Sequence, residues 1–154
     1  MNIGIIVYSR NGHTRLAATK LKEALSAAGH GVSFVELETV GPLPRSARTA
    51  ELKSIPALDA YEAVVLACPV QGGVPAPPMR VYLEQVASLQ GKKVALLVGG
   101  FFPIGWGRNQ TVAALKAMCE SRGATVLGAA TVRWSSLWRK RQIAQAVDTL
   151  SALF

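Results

Sequence analysis

Apolar and polar positions divide the chain into alternating strand-like and helix-like stretches. The first is the continuous run Ile3-Gly4-Ile5-Ile6-Val7-Tyr8, which gives way to Ser9-Arg10-Asn11-Gly12-His13-Thr14. A short apolar run ended by turn residues predicts a buried strand. Leu16, Ala17, Leu21 and Leu25 follow at intervals that suit one face of a helix. Gly29-His30-Gly31 stops that helix, and 32–37 predicts a second strand with partial alternation, half exposed.

From Glu38 to Ala60 the periodicity fails. Pro42, Pro44 and Pro56 break it, while Arg45, Arg48 and Lys53 make it basic, so a long loop is expected with one helical turn around Ala50 to Lys53. Tyr61 to Cys68 predicts a third strand, stopped by Pro69-Val70-Gln71-Gly72-Gly73-Val74-Pro75. A helix from Pro77 to Ala87 is next, since proline is tolerated in a first helical turn. Val94 to Val98 predicts a fourth strand ending at Gly99-Gly100, and a glycine-bounded loop to Gly107 carries Phe101, Phe102 and Trp106. A helix from Asn109 to Ser121, a fifth strand from Ala124 to Val132 and a last helix from Leu137 to Leu153 complete the pattern. Strands that alternate with helices give an α/β fold with a parallel sheet covered on both faces. The 154 residues suit one domain, 1–154.

Composition narrows the setting. The apolar runs are strand-sized, well short of the roughly 20 residues that cross a bilayer, and Met1-Asn2 leads into the first strand with no basic leader. A soluble cytoplasmic protein with no membrane partner is expected. Cys68 and Cys119 form no CxxC and have no ligand-spaced neighbours, so neither a metal site nor a dithiol centre is indicated, and both are expected reduced. Seventeen Lys/Arg against nine Asp/Glu give a net charge of +8, which favours anionic ligands or acidic partners.

In a parallel sheet of this kind, ligands bind beyond the carboxyl ends of the strands. The loop Ser9 to Thr14 sits there, where a helix start leaves unpaired N–H groups and a positive dipole end for an anion, with the Ser9 and Thr14 hydroxyls beside them. It contains neither the GxxxxGK[ST] of a P-loop nor a GxGxxG, which argues against an NTPase or dinucleotide-type Rossmann reading. An ordinary strand-to-helix turn is the bland alternative.

Tyr8 to Thr14 resembles the phosphate loop of flavodoxin-like proteins, in which a Ser/Thr-rich turn holds the phosphate of flavin mononucleotide (FMN). Tyr61 to Pro78, with its Gly72-Gly73, is similar to the family's second flavin loop, and Val94 to Gly107 to its third. Together these motifs span most of the chain, and with no long insertion within Ala124 to Val132 it resembles the short-chain, FMN-binding flavodoxin and quinone-reductase type. The resemblance implies a three-layer, doubly wound, five-stranded parallel sheet of order 2-1-3-4-5. It carries Ser9, Arg10, Asn11, Gly12, His13 and Thr14 to the phosphate. Pro69, Val70, Gln71, Gly72 and Gly73 go to the flavin ring, and Gly99, Gly100, Phe101 and Phe102 to its other edge. His13 reads as a phosphate-side residue before a catalytic base, and no side chain is assigned acid–base chemistry. Phe101 and Phe102 are divided evenly between ring contact and core.

The departures bear on function. No aromatic residue stands in the second loop, so one ring face is left open to a substrate or a second subunit. The chain is basic where electron-carrier flavodoxins are acidic. The first reading is an FMN-binding redox protein for electron transfer through a non-covalent flavin, with a redox partner or a small quinone-like substrate. An NAD(P)H-dependent quinone or FMN reductase on the same fold is the alternative, and a flavin-free regulatory protein the second. Whether the chain is an enzyme stays open. Finally, Arg133-Trp134-Ser135-Ser136-Leu137-Trp138-Arg139-Lys140-Arg141 joins cations to aromatics. No nucleic-acid motif accompanies it, so packing or a homo-oligomer contact through Trp134 and Trp138 is the preferred reading over nucleic acid.

Overall fold

The computed structural model describes residues 1–101 and 107–154. Five strands form the parallel sheet: β1 (Asn2–Val7), β2 (Gly31–Glu36), β3 (Ala63–Gln71), then β5 (Lys93–Gly100) and β6 (Thr125–Arg133). Their spatial order is β2-β1-β3-β5-β6, with every neighbouring pair parallel. Numbered without the short β4 (Val74–Pro75), this is the expected 2-1-3-4-5. The addition is β4 itself, which pairs antiparallel with the end of β3.

Central strands are apolar on both faces because both faces are covered. β1, β3 and β5 are buried almost throughout, whereas the edge strand β2 alternates between half-buried and exposed positions. Helices α1 (His13–Ala27) and α4 (Arg139–Ser151) cover one side, with Ala17, Ala18, Leu21, Leu25, Ile143 and Leu150 packed on Ile3, Ile5, Val65 and Leu97. Helices α2 (Pro77–Gln85) and α3 (Arg108–Ser121) cover the other, where Met79, Tyr82, Leu83 and Leu115 meet Ile6, Leu66, Leu96 and Val98. Burying each Leu, Ile, Val or Met among them contributes about 1.5–3 kcal/mol.

Three expectations change. Leu16 is 48% exposed. It precedes Leu21 by five positions, which at about 100° per residue turns it roughly 140° away from the buried stripe; Thr14, Ala17, Ala18, Leu21 and Leu25 form that stripe. No helical turn forms at Ala50 to Lys53. Thr39 and Leu52 instead make an antiparallel bridge, closed by Val40 N–H to Glu51 C=O and Lys53 N–H to Glu38 C=O, each 2.9 Å. The last helix begins at Arg139, leaving Leu137 in the preceding turn.

Both cysteines are unpaired and buried, and burial pushes each thiol up to about 12. They are protonated at neutral pH and serve as small apolar side chains. Among the described residues no cluster of His, Cys, Asp and Glu gathers for a metal, and no helix is long and apolar enough to cross a membrane.

Candidate functional site

At the carboxyl ends of β1, β3 and β5 lies a cavity of about 350 Å3. The first loop lines it with Arg10, Asn11, His13 and Thr14, the second with Pro69 to Gly73, and the third with Gly99, Gly100 and Phe101. Two residues that the sequence did not single out for a ligand, Arg45 and Trp134, complete the wall. Ser9 and Gly12 do not line it, and Phe102 falls outside the described residues.

Ser9 sits behind the first loop. Its Oγ accepts the N–H groups of Gly12 (3.1 Å) and Arg15 (3.2 Å), closing the turn before the first intrahelical bond, from Leu16 N–H to Gly12 C=O. Gly12, the N-cap residue, has φ 85° and no side-chain cap, so the N–H groups of His13 and Thr14 at the head of α1 precede the helical ladder. Amides that converge on one oxygen are the donor set an oxyanion needs.

The second loop is a tight hairpin. Gln71 pairs with Val74, and Gly72 and Gly73 between them have φ 63° and 79°. Positive φ at both central positions is the signature of a type I′ turn, which glycine adopts without strain. A Cβ built on Gly72 meets nothing within 4 Å, so the turn presents bare backbone to the cavity.

Under the third loop lies Trp134, only 3% exposed. Its ring occupies the space beside Gly99, where an added Cβ would come within 2.3 Å of it. His13 stacks on the same ring (centroids 5.4 Å, 23°) and meets Phe101 edge-on at 5.6 Å. The head of α1 and the end of β5 are thus joined through one aromatic cluster. This burial corrects the reading of Trp134 as an oligomer contact; Trp138, 64% exposed, alone keeps an open ring. A signal was available, because Val132, Arg133 and Trp134 continue the period-two alternation of β6 and so return Trp134 to the buried side.

Arg45 belongs to the long loop, which bends over the cavity because distant polar groups hold it. Arg10 donates to Leu43 C=O at 2.9 Å and reaches Gln71 Oε1 at 3.5 Å. Gln71 Nε2 donates to Arg45 C=O at 3.2 Å and Ala47 C=O at 3.4 Å. Tyr82 O–H anchors the far end on Pro56 C=O at 2.7 Å.

The electrostatics have one sign. Arg10 and Arg45 line the cavity, and no described lining residue is acidic. Behind Gly100 stands Arg108, whose guanidinium is pushed below its usual range first by burial and then by neighbouring Arg133. β-Pairing sets Arg133 opposite Gly100, so both cations flank the end of β5.

The family model of the NADPH-dependent FMN reductases matches residues 1–138. The chain belongs to that family and is an FMN-binding, flavodoxin-like redox protein. It is 28% identical over 133 residues to the flavodoxin of Megasphaera elsdenii, covering 84% of this chain and 85% of that one. Among solved structures it resembles oxidised flavodoxin 1 from Bacillus cereus, with a TM-score of 0.71 at 15% identity over 99% of this chain and 96% of that one. It also resembles the Trp repressor binding protein of Bacillus subtilis, with a TM-score of 0.69 at 11% identity and full coverage of both chains. At such identities these structural likenesses show the fold.

Proposed function

We propose that the cavity between the three loops holds the FMN, with the whole chain acting as one domain, and that the protein is a two-electron reductase of small acceptors such as quinones or free flavin, with NAD(P)H as donor. The observation that carries this reading is a cavity walled by bare backbone and cations, with no acidic residue in its described lining. When bound, FMN supplies acceptance of a hydride and its onward delivery.

The residues present fit that group. The first-loop amides and the hydroxyl of Thr14 would grip the phosphate, with Ser9 closing the loop from behind. The Gly72-Gly73 backbone would lie along the ring, and the Gly99 to Phe101 backbone would bound its other edge. Arg10, half-buried, and Arg45, exposed, favour added negative charge, with solvent screening part of the effect of Arg45. No aromatic of the second loop covers the ring face, leaving room for a nicotinamide or a quinone. His13 is held by Trp134 and Phe101, which suits a positioning role beside the phosphate. A cytoplasmic setting agrees with the reduced cysteines. Self-association, if it occurs, would use Trp138.

Anaerobic mixing of FMN-loaded protein with NADPH tests the donor. Bleaching of the flavin within the turnover time, followed by recovery on adding a quinone, is expected. Flavin that stays oxidised under NADPH but is reduced by an electron-carrier protein would overturn the reductase reading.

A further inference from the structure

We propose that the open groove beside the cavity takes the adenosine 2′-phosphate end of NADPH; this rests on the nicotinamide donor of the preceding reading. The groove, about 690 Å3, runs along residues 134–141, and Trp134 lines both it and the flavin cavity. A dinucleotide reaching the ring from this side therefore passes along a shared wall.

The chemistry of the groove is that of an adenosine phosphate site. Trp138 is 64% exposed and Leu137 95%, which supplies an apolar and aromatic surface for a purine. The Arg141 guanidinium lies over one face of the Trp138 ring, 5.3 Å from its centroid, which leaves the other face for a base. Arg139 is committed to the fold, donating to Trp134 C=O at 3.1 Å. Lys140 and Arg141 are exposed, and among the described residues neither enters an ion pair.

All three cations occupy the first turn of α4, which contains no acidic residue. Cations are least favoured at that end of a helix, so a phosphate monoester carrying close to two negative charges would relieve a repulsion the fold otherwise retains. NADH lacks that phosphate, which makes the groove a device for choosing between the two donors. Trp134 to Trp138 lie within the family match, and Arg139, Lys140 and Arg141 lie past residue 138, where it ends.

The test uses the full chain and its Lys140→Ala/Arg141→Ala double variant, with 2′,5′-ADP as the binding probe and NADPH and NADH as substrates of the FMN-loaded protein. In the double variant, 2′,5′-ADP binding should weaken by about tenfold or more and the KM for NADPH should rise in step, given two lost charge-assisted contacts. The KM for NADH and the affinity for 5′-AMP should change several-fold less than those for NADPH and 2′,5′-ADP, FMN binding should hold and the melting temperature should not fall. Trp138→Ala should weaken both 2′,5′-ADP and 5′-AMP.

Absence of saturable 2′,5′-ADP binding to the parent protein would overturn the proposal. Equal competition by tripolyphosphate, or by an acidic protein at the same concentration, would do so too, marking a general anion surface. NADPH turnover with unchanged constants in the double variant defeats the groove alone. Failure of both nicotinamides to reduce bound FMN defeats the donor reading, and this proposal with it.

Discussion

The two sides of the cavity are built in different ways. The first loop is closed by its own residues, Ser9 Oγ taking the N–H groups of Gly12 and Arg15 three and six positions away. The loop around Arg45 is held by Arg10, Gln71 and Tyr82, whose contacts lie 24 to 33 residues from it in sequence. A locally closed loop keeps its shape wherever its strand and helix form. A loop held from afar keeps its shape only when the whole sheet edge is assembled, and it is the side that can open for a ligand.

The comparison breaks hardest at Gly99, where the first loop rests on Trp134. Gly99→Ala would drive a methyl into the Trp134 ring and displace its stack with His13. Overpacking of this kind costs about 1–3 kcal/mol, or a fall of roughly 2–12 °C in melting temperature for a chain of this size. Thermal unfolding should show it, with FMN affinity lost alongside; an unchanged Tm would mean that Trp134 can move aside freely.

Ser9→Ala attacks the local closure directly. Removing a cap-like acceptor costs about 0.5–2 kcal/mol, and FMN affinity should fall further than riboflavin affinity, because the loop that Ser9 closes would present the His13 and Thr14 amides to the phosphate. Calorimetric titration of the variant with both ligands reads this. A similar drop for each would place the phosphate elsewhere.

Arg10→Met, which keeps the stem and removes the donors, releases the distant side. Its bonds are part-exposed, so stability should change by less than about 1 kcal/mol. Amide exchange in 38–60 should quicken while α1 stays protected. Uniform exchange across both sides would erase the distinction drawn here.

How much of this was legible follows the same division. The alternation of strands and helices and the three loop ends could be read because apolar runs, Gly/Pro turns and helix faces are local signals, whereas the strand order came from the family resemblance. Arg45 could not, since nothing in Pro42 to Arg48 announces that Arg10 and Gln71 will hold its carbonyls. Trp134 was missed by ending the strand at Val132, although alternation continued. β4 went unseen because a two-residue strand is defined only by its pairing.

The smallest effect is electronic. Arg45→Met should lower the potential of the second electron by tens of millivolts, since about 59 mV corresponds to tenfold for one electron and solvent screens part of the charge. The share of flavin held at the one-electron level during stepwise reduction should rise accordingly. A potential that does not move would show that Arg45 is fully screened from the ring.

The central claim is that the cavity holds FMN with its phosphate on the first loop. Titration of the parent protein with FMN and with riboflavin tests it most directly. FMN should bind at least about tenfold more tightly, the margin expected when charge-assisted bonds to the phosphate are added. Equal affinity for the two ligands would contradict the account.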